Sequence, residues 1–516
     1  MTTPTVTPDH VQITTAQERF WHLVHAEWTK FRTVRGWVIA MIVAIGAITA
    51  FVFVASNVGR SCVGPDGPSA CPAQPTGPGG EPVSDAFYFA HQPLTGNGTI
   101  TVQMTSLTGQ VEVGQTSSGA PQLAPGLQPW SKAGIIIKEN TSQGSAYAAM
   151  MVTGSHGVRM QWDYVNDTPG LTGRVSASSP RWLRLVRTGD TITGYDSADG
   201  THWTRVGTAA LPRLTPTVQA GLFAAYPGNP STGSNGIAAG AFRHIRLSWP
   251  ATRWTGTNVG GASQPGVAQP GTLRERAGTL TVTGSGDIVP LAGNGVLSLQ
   301  RALIGTFIGL IPLIVVGAMF ITTEYRRRLI WVSLAAAPRR GRLLAAKAVV
   351  IGTVSFVTGL IAGTLAVAVG TRTLARTDVP VWPAGSVTEV RIVVGTAALL
   401  AVAAVLALAI GTILRRSVLA ITAAIVLIFV PYLLASGPQG QQGSAGGGAE
   451  WLLRITPAAA FSGQQVLPQF PQVTGAVYTP AAGYYPLAPW AGLAVECAWA
   501  VAALALAFCL LRRRDA

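Results

Sequence analysis

The sequence predicts an α-helical polytopic membrane protein of six transmembrane helices with an all-β extracellular sandwich inserted after the first helix. Three observations carry that prediction. Six apolar runs are each long enough to cross a hydrocarbon core of ~30 Å, which takes ~20 helical residues. Arginine and lysine gather at the ends of those runs rather than over a polar surface. Between the first and second runs the pattern changes to short alternating segments divided by turn pairs, the signature of antiparallel strands. Composition agrees, with 48% hydrophobic and 11% charged residues in a chain of 516. The net charge of +15 could suggest a nucleic-acid partner, but its placement at the edges of apolar runs reads as a topology signal and excludes that class.

Residues 1–36 form the N-terminal region, in which Phe20, Val24, Trp28 and Phe31 recur at helical spacing opposite polar and basic positions, as in a helix lying in the membrane interface. The first span occupies 37–56. Its apolar core is longer than the ~7–15 residues of a secretory signal, so an uncleaved anchor is expected. Residues 57–83 are a Gly/Pro-rich external linker holding Cys62 and Cys71, which could pair as a local disulfide on the oxidising side of the membrane. The sandwich is assigned to 84–250, on alternating runs such as Thr99–Met104 and Trp182–Arg187 and turn pairs such as Gly189-Asp190. A polar external tether, 251–300, returns the chain to the bilayer.

Residues 301–436 hold spans two to five, with a basic loop at 323–347 between the second and third. Lys30, Arg32 and Arg35 before the first span, Arg415 and Arg416 between the fourth and fifth, and Arg512 to Arg514 after the sixth put both termini and this loop in the cytoplasm. Arg372, Arg376 and Arg391 on the outward side run against the pattern and are outnumbered. An external loop, 437–488, begins with flexible-linker composition and offers a short interfacial or re-entrant helix near Glu450–Pro457. The sixth span and its tail take 489–516. The localisation expected is the cell membrane, multi-pass, with the large domain outside.

Within the basic loop, Glu324-Tyr325-Arg326-Arg327, then Leu334-Ala335-Ala336-Ala337-Pro338-Arg339-Arg340-Gly341-Arg342 and Ala345-Ala346-Lys347, closely resemble the loop between the second and third helices of type-two ABC exporter permeases of actinobacteria. His25–Gly36 looks like that family's membrane-entry helix, and Leu453–Phe461 is similar to its external segment before the last helix. The resemblance covers residues 16–56 and 300–516, and differs at Arg328-Leu329, where the family usually has Gly-Thr. It implies a permease that exports its substrate, driven by an ABC ATPase docking on the loop through Glu324, Tyr325, Arg326, Arg327, Trp331, Leu334, Arg339, Arg340 and Arg342. A plain positive-inside signal with no docking role is the alternative reading of these arginines.

A nucleotide-binding domain would carry a Gly-rich phosphate loop ending in Gly-Lys-Ser/Thr. The four lysines are Lys30, Lys132, Lys138 and Lys347, and none follows a glycine. ATP and Mg are therefore expected on a separate ATPase subunit, with no cofactor and no enzymatic activity in this chain. Six spans are half of the usual translocation unit, which implies a second permease copy or a related permease. Glu496, an acid inside the sixth span, and Pro431, inside the fifth, are candidates for the substrate path; a buried interhelical contact and a static kink are the competing readings.

The external domain resembles a second family, the concanavalin-like or laminin G-like sandwich, on Trp130–Ile135, Trp182–Arg187 and Asp196–Trp203. Trp130, Trp182 and Trp203 are its candidate ligand-stacking residues, against the alternative of core packing. No Cys/His grouping has metal-ligand spacing, and no metal site is expected. The alternative function is a cell-surface protein that binds or senses a glycan, protein or other ligand on the same scaffold without transport.

Overall fold

The structure is a computed structural model describing residues 16–56, 62–64, 67–69, 73–115, 121–228, 235–261, 270–293, 296–327, 340–377, 379–436, 449–474 and 478–514. Six helices in it are long and apolar enough to cross a membrane. A short helix α1 (Ala16–Thr33) leads, after a break at Val34, into α2 (Arg35–Ser56). After the β domain come α3 (Thr306–Arg326), α4 (Arg340–Leu374), α5 (Ser386–Leu414), α6 (Ser417–Ser436), a single turn α7 (Leu452–Ile455) and α8 (Pro489–Arg514). Apolar helices satisfy every backbone donor internally, which is what lipid demands of a spanning segment. At 35 residues, α4 is ~52 Å long, well beyond the hydrocarbon thickness, so part of it stands outside the apolar layer.

Small residues let the helices approach closely. A Cβ at Gly317 of α3 would strike the Ala404 carbonyl of α5, and one at Gly359 of α4 would meet the Ala397 backbone at 2.6 Å. At Gly492 of α8, a Cβ would run into Ala459 O and Ser462 Oγ. Those two belong to a buried 3-10 segment, Pro457–Gln464, so the external stretch expected to hold an interfacial or re-entrant helix gives one α turn and then a 3-10 run packed on α5 and α8. Pro457 sets the change, since it cannot continue the hydrogen bonding of α7.

The β domain is a sandwich of two antiparallel sheets. In the seven-stranded sheet the order is β10 (Asn166–Pro169), β9 (Val158–Trp162), β8 (Tyr147–Thr153), β7 (Lys132–Lys138), β14 (Thr217–Ala225), β4 (Phe87–Thr95), β16 (Thr255–Val259). The other runs β13 (Thr204–Ala210), β12 (Thr191–Ser197), β11 (Arg181–Thr188), β5 (Gly98–Gln115), β15 (Gly236–Leu247), β18 (Thr279–Gly284), β17 (Thr272–Arg276), with β6 (Pro121–Pro125) paired to β5. Between them lies a core that includes Ile100, Val102, Ile135, Met150, Met160, Leu183, Leu222 and Phe242.

The stretch 251–300, expected to be a tether, instead supplies β16, β17, β18 and β19 (Ile288–Pro290). Its polar look misled because β16 and β17 are edge strands, which bury little. β19 pairs with β3 (Val83–Asp85), and this pair covers the outer face of the seven-stranded sheet. That sheet is therefore buried on both sides, which explains unbroken apolar runs such as Phe87–Ala90 and Ile135–Ile137, whereas β11, with one side open, alternates.

Two lysines sit on the covered face. Lys138 Nζ lies 2.8 Å from Asp85 Oδ2 with both side chains fully buried, and Lys132 Nζ lies 2.6 Å from Asp287 Oδ1. Tyr164 Oη and Gly144 N also donate to Asp85 Oδ2, at 2.7 and 2.8 Å. Burial pulls the Lys138 ammonium below its ordinary value against the opposing charge of Asp85, and pushes Asp287 up against Lys132. The sandwich meets the membrane part on this same side: Gln472 Nε2 donates to Tyr164 O at 3.4 Å, and Gly293 N to Tyr484 Oη at 3.2 Å. Cys62 opens β1 (Cys62–Gly64), which pairs with β2 (Gly67–Ser69); Cys71, and with it the expected disulfide, lies outside the described residues.

Candidate functional site

At the end of the helical bundle remote from the sandwich, the basic segments come together. There α3 runs on to Arg326 and α4 starts at Arg340, so Glu324–Arg326 and Arg340–Lys347 of the expected loop are helical. Nothing in Thr322–Arg326 breaks a helix, and α4 starts two residues after Pro338. Trp331, Leu334 and Arg339 lie outside the described residues.

The two edges of the loop are joined by a buried charge cluster. Lys347 Nζ contacts Glu27 Oε2 at 2.7 Å and Glu324 Oε1 at 2.8 Å, and sits 4.7 Å over the Phe320 ring. Lys30 Nζ lies 2.7 Å from Glu27 Oε1 and 3.2 Å from Glu324 Oε1. Two carboxylates and two ammonium groups thus interlock across α1, α3 and α4. Lys347 is fully buried and Glu27 is 2% exposed, so water screens the inner contacts little. Around half-exposed Lys30, burial pulls its ammonium down, but hydrogen bonds and charge from Glu27 and Glu324 outweigh it and raise it overall. Glu324 Oε2 is buried with no partner among the described residues.

Apolar contacts reinforce the junction. Phe31, one turn after Glu27, is buried against Phe320 and Trp37, with ring centroids 6.2 and 5.9 Å away. Trp28, expected on the same apolar face, is 42% exposed and stacks on Phe31 instead. The amphipathic helix α1 therefore has a packed, charged docking side as well as a surface side.

The other loop residues are distributed around this junction. Arg326 and Arg327 are exposed. Tyr325 is half-buried beneath Arg415, whose guanidinium is 5.0 Å from its ring. Arg415 takes a left-handed conformation, φ 57°, that ends α5 and turns the chain into α6, while Thr322 and Ser417 hydroxyls meet at 2.8 Å. Arg340 Nη1 donates to Leu511 O at 2.7 Å, tying the start of α4 to the end of α8; Arg342 is half-buried.

At the sandwich end of the bundle, Phe307, Phe429, Tyr432 and Phe461 form an aromatic cluster, with Phe307 4.3 Å from both Tyr432 and Phe461. Pro431, buried within a continuous α6, adjoins Tyr432 in sequence. Glu496 of α8 is buried one turn beyond Gly492, and its Oε2 has no partner among the described residues.

The three tryptophans are not brought to one place. Trp130 is buried and stacked on His156 at 4.0 Å, on the seven-stranded side. Trp182 and Trp203 flank the Ser197–Trp203 turn on the other sheet, half-buried, with a Cβ at Gly200 reaching Trp182 and Trp203 Nε1 donating to Gly200 O at 3.2 Å. Among the described residues no group of three or more His, Cys, Asp or Glu side chains is placed to hold a metal.

Sequence reasoning missed Glu27, Lys30 and Lys347 as functional residues. The signals were present: only four of 36 basic residues are lysines, Lys347 interrupts an apolar run, and Glu27 shares a helical face with Val24 and Phe31.

A bundle of six spans with a basic end gathered around one loop defines a class of polytopic membrane proteins, and comparison with known families narrows it. Residues 231–516 match the model of the ABC-2 family transporter protein, and the chain belongs to that family. The match takes in β15 to β19 and α3 to α8, and makes this part an ABC-2 permease domain, a type that is typically the non-catalytic membrane component and generally pairs with ATPase subunits. No curated protein matches the chain. Among solved structures, the sandwich is similar to a functionally unknown protein from Saccharomyces cerevisiae, at 15% identity over 32% of this chain and 76% of that one, with a TM-score of 0.22. It is also similar to scytalido-glutamic peptidase with a transition state analog inhibitor, at 9% identity over 39% of this chain and 98% of that one, with a TM-score of 0.24.

Proposed function

We propose that this chain is the membrane subunit of an ABC exporter, driven by a separate ATPase subunit that docks on the basic end around 324–347 in the cytoplasm. The observation that carries the reading is the Glu27–Lys347–Glu324 cluster. A loop that served only as a topology signal needs arginines, but it does not need a buried ion cluster locking both its edges to the N-terminal helix. With that lock in place, a push on the loop moves the ends of α1, α3 and α4 as one body. ATP-driven closure of a docked ATPase pair would then bias the bundle between two packings with different access to its interior. Exposed Arg326 and Arg327 supply charge-assisted contacts for carboxylates on the ATPase. Exposed apolar faces on α2, including Ile39, Ile42 and Phe53, and on α8, including Val501 and Leu506, suit lipid or a second permease copy.

The test is co-purification. The chain is expressed with its candidate ATPase, as the parent and with Arg326→Glu and Arg327→Glu together, and membrane insertion is verified for both. Retention of the ATPase by the parent and its loss from the variant are expected. Equal retention by both removes these arginines from docking, and a parent that retains no ATPase favours ligand binding or sensing without transport.

A further inference from the structure

At the corner between α7 and α8 an arginine stands exposed below the edge of the apolar layer. The span α8 ends in Arg512, Arg513 and Arg514 at the basic end of the bundle. A hydrocarbon layer of ~30 Å takes ~20 helical residues, so counting back from Arg512 its far boundary falls near Gly492. Trp499 therefore lies ~10 Å inside that boundary. Its Nε1 donates to Ile455 O at 2.8 Å, which holds the single turn α7 beside α8 within the apolar layer. Arg454 is the residue before Ile455; its side chain is exposed, while Leu453 on the other side of the turn is buried.

A bare guanidinium facing hydrocarbon is costly, and the protein does not neutralise this one. Arg454 has no ion-pair or side-chain hydrogen-bond partner among the described residues, and Glu450, four positions earlier, does not reach it. The segment 437–448 ahead of α7 contains no acid. In the sequences of the six spans the acids are Glu324 at the basic end, Glu389 in the first turn of α5 and buried Glu496. Around Arg454 the exposed surface is apolar and aromatic, made by Trp451, Ile455, Trp490 and Trp499.

We infer that this corner holds one anionic phospholipid, its phosphate on the Arg454 guanidinium and its chains along the exposed faces of α7 and α8. An arginine stem runs along apolar surface while its charged head reaches for the headgroup level, and a guanidinium pairs with phosphate through two parallel N–H···O bonds. Trp490, just outside Gly492, stands at the boundary, where amphipathic rings flank headgroups. Charge decides against a second copy of the chain as the occupant. The exposed faces that a copy offers on α2 and α8, such as Ile42 and Val501, are apolar and bring no anion to Arg454, whereas a phospholipid supplies both the anion and the apolar cover. Transport plays no part in this: the site would hold its lipid whether or not the bundle exports a substrate.

The experiment titrates the full chain in detergent with three probes and counts bound molecules by native mass spectrometry: dioleoylphosphatidylglycerol, which has chains and a phosphate; dioleoylglycerol, which has the same chains and no phosphate; and glycerol phosphate, which has the phosphate and no chains. Phosphatidylglycerol is expected to bind, and each of the other two to bind at least about tenfold more weakly, because each lacks one half of the contact. Arg454→Gln should weaken phosphatidylglycerol binding at least about tenfold, while Arg376→Gln, at another exposed arginine beyond α4, leaves it unchanged. A phosphatidylglycerol with a photoreactive chain, crosslinked to the parent in nanodiscs, needs no variant and should label α7 and the Trp490–Leu506 stretch of α8. Dioleoylglycerol or glycerol phosphate binding as tightly as phosphatidylglycerol, equal binding by Arg454→Gln, labelling confined to other helices, or an Arg454→Gln chain that loses self-association and keeps its lipid overturns the inference.

Discussion

Lys347→Met removes the centre of the charge cluster while keeping a long, flexible apolar side chain in its place. In the parent, the fully buried ammonium satisfies Glu27 Oε2 at 2.7 Å and Glu324 Oε1 at 2.8 Å. Removing one partner from a buried ion pair typically costs ~3–5 kcal/mol, because the remaining charge is left uncompensated. Lys30 still reaches Glu27 and Glu324, at 2.7 and 3.2 Å, and its side chain is 45% exposed, so it offsets part of the loss. The expected destabilisation is ~3 kcal/mol, the lower end of that range. Folded fraction across a denaturing-detergent titration in mixed micelles reads this directly, and the same protein reconstituted with its ATPase reads coupling through ATP turnover.

Adding Glu27→Gln and Glu324→Gln to Lys347→Met removes the orphaned charges and should recover most of the stability, since neutral replacement of a whole buried cluster is often close to neutral. It should not recover coupling, because the three helix ends are no longer locked together. A Lys347→Met chain within ~0.5 kcal/mol of the parent, the range of ordinary surface substitutions, would refute the reasoning. So would a double-mutant cycle between Lys347 and Glu27 with no interaction energy.

Two other outcomes are expected in the sandwich. Burial, with further repulsion from Glu81, raises the Asp163 carboxyl from its ordinary value to about 6, against a hydrogen bond from the Tyr147 backbone that lowers it. The folded state therefore holds this proton more tightly than the unfolded one, so its stabilising contribution is full below ~4 and is lost as pH rises from ~4 to 6. Asp163→Asn should gain stability relative to the parent over that interval in pH-dependent unfolding, and a pH-independent difference would contradict the assignment. Lys138→Met should destabilise the sandwich by ~3–5 kcal/mol, because it strands a fully buried Asp85, while Lys138→Met with Asp85→Leu recovers much of that loss; equal unfolding midpoints for parent and single variant would show that the pair is dispensable.

The spanning helices were legible because lipid imposes one simple rule, long apolar helices with basic edges, and the six runs obey it. The sandwich was legible in β11 and β5, which alternate with one face in the core. Less legible was the covered seven-stranded sheet. Lys132 and Lys138 stand at the two ends of β7, and only the chain crossing at Asp85 and Asp287 shows that both are buried. The strands after residue 254 look like a tether in sequence because edge strands with one exposed side are nearly as polar as a linker. The loop arginines stood out by composition, but their anchoring did not: Glu27 and Glu324 are 297 positions apart, and no local periodicity reports that Lys347 bridges them.

The most direct test of the central claim is photo-crosslinking in native membranes from a probe placed at exposed Arg327. The account predicts an adduct with a polypeptide that hydrolyses nucleotide, formed without reagent access from the cell exterior and lost when Lys347→Met unlocks the helix ends. An adduct only with lipid or with another copy of this chain, or labelling of the probe by an impermeant reagent added outside the cell, would contradict it.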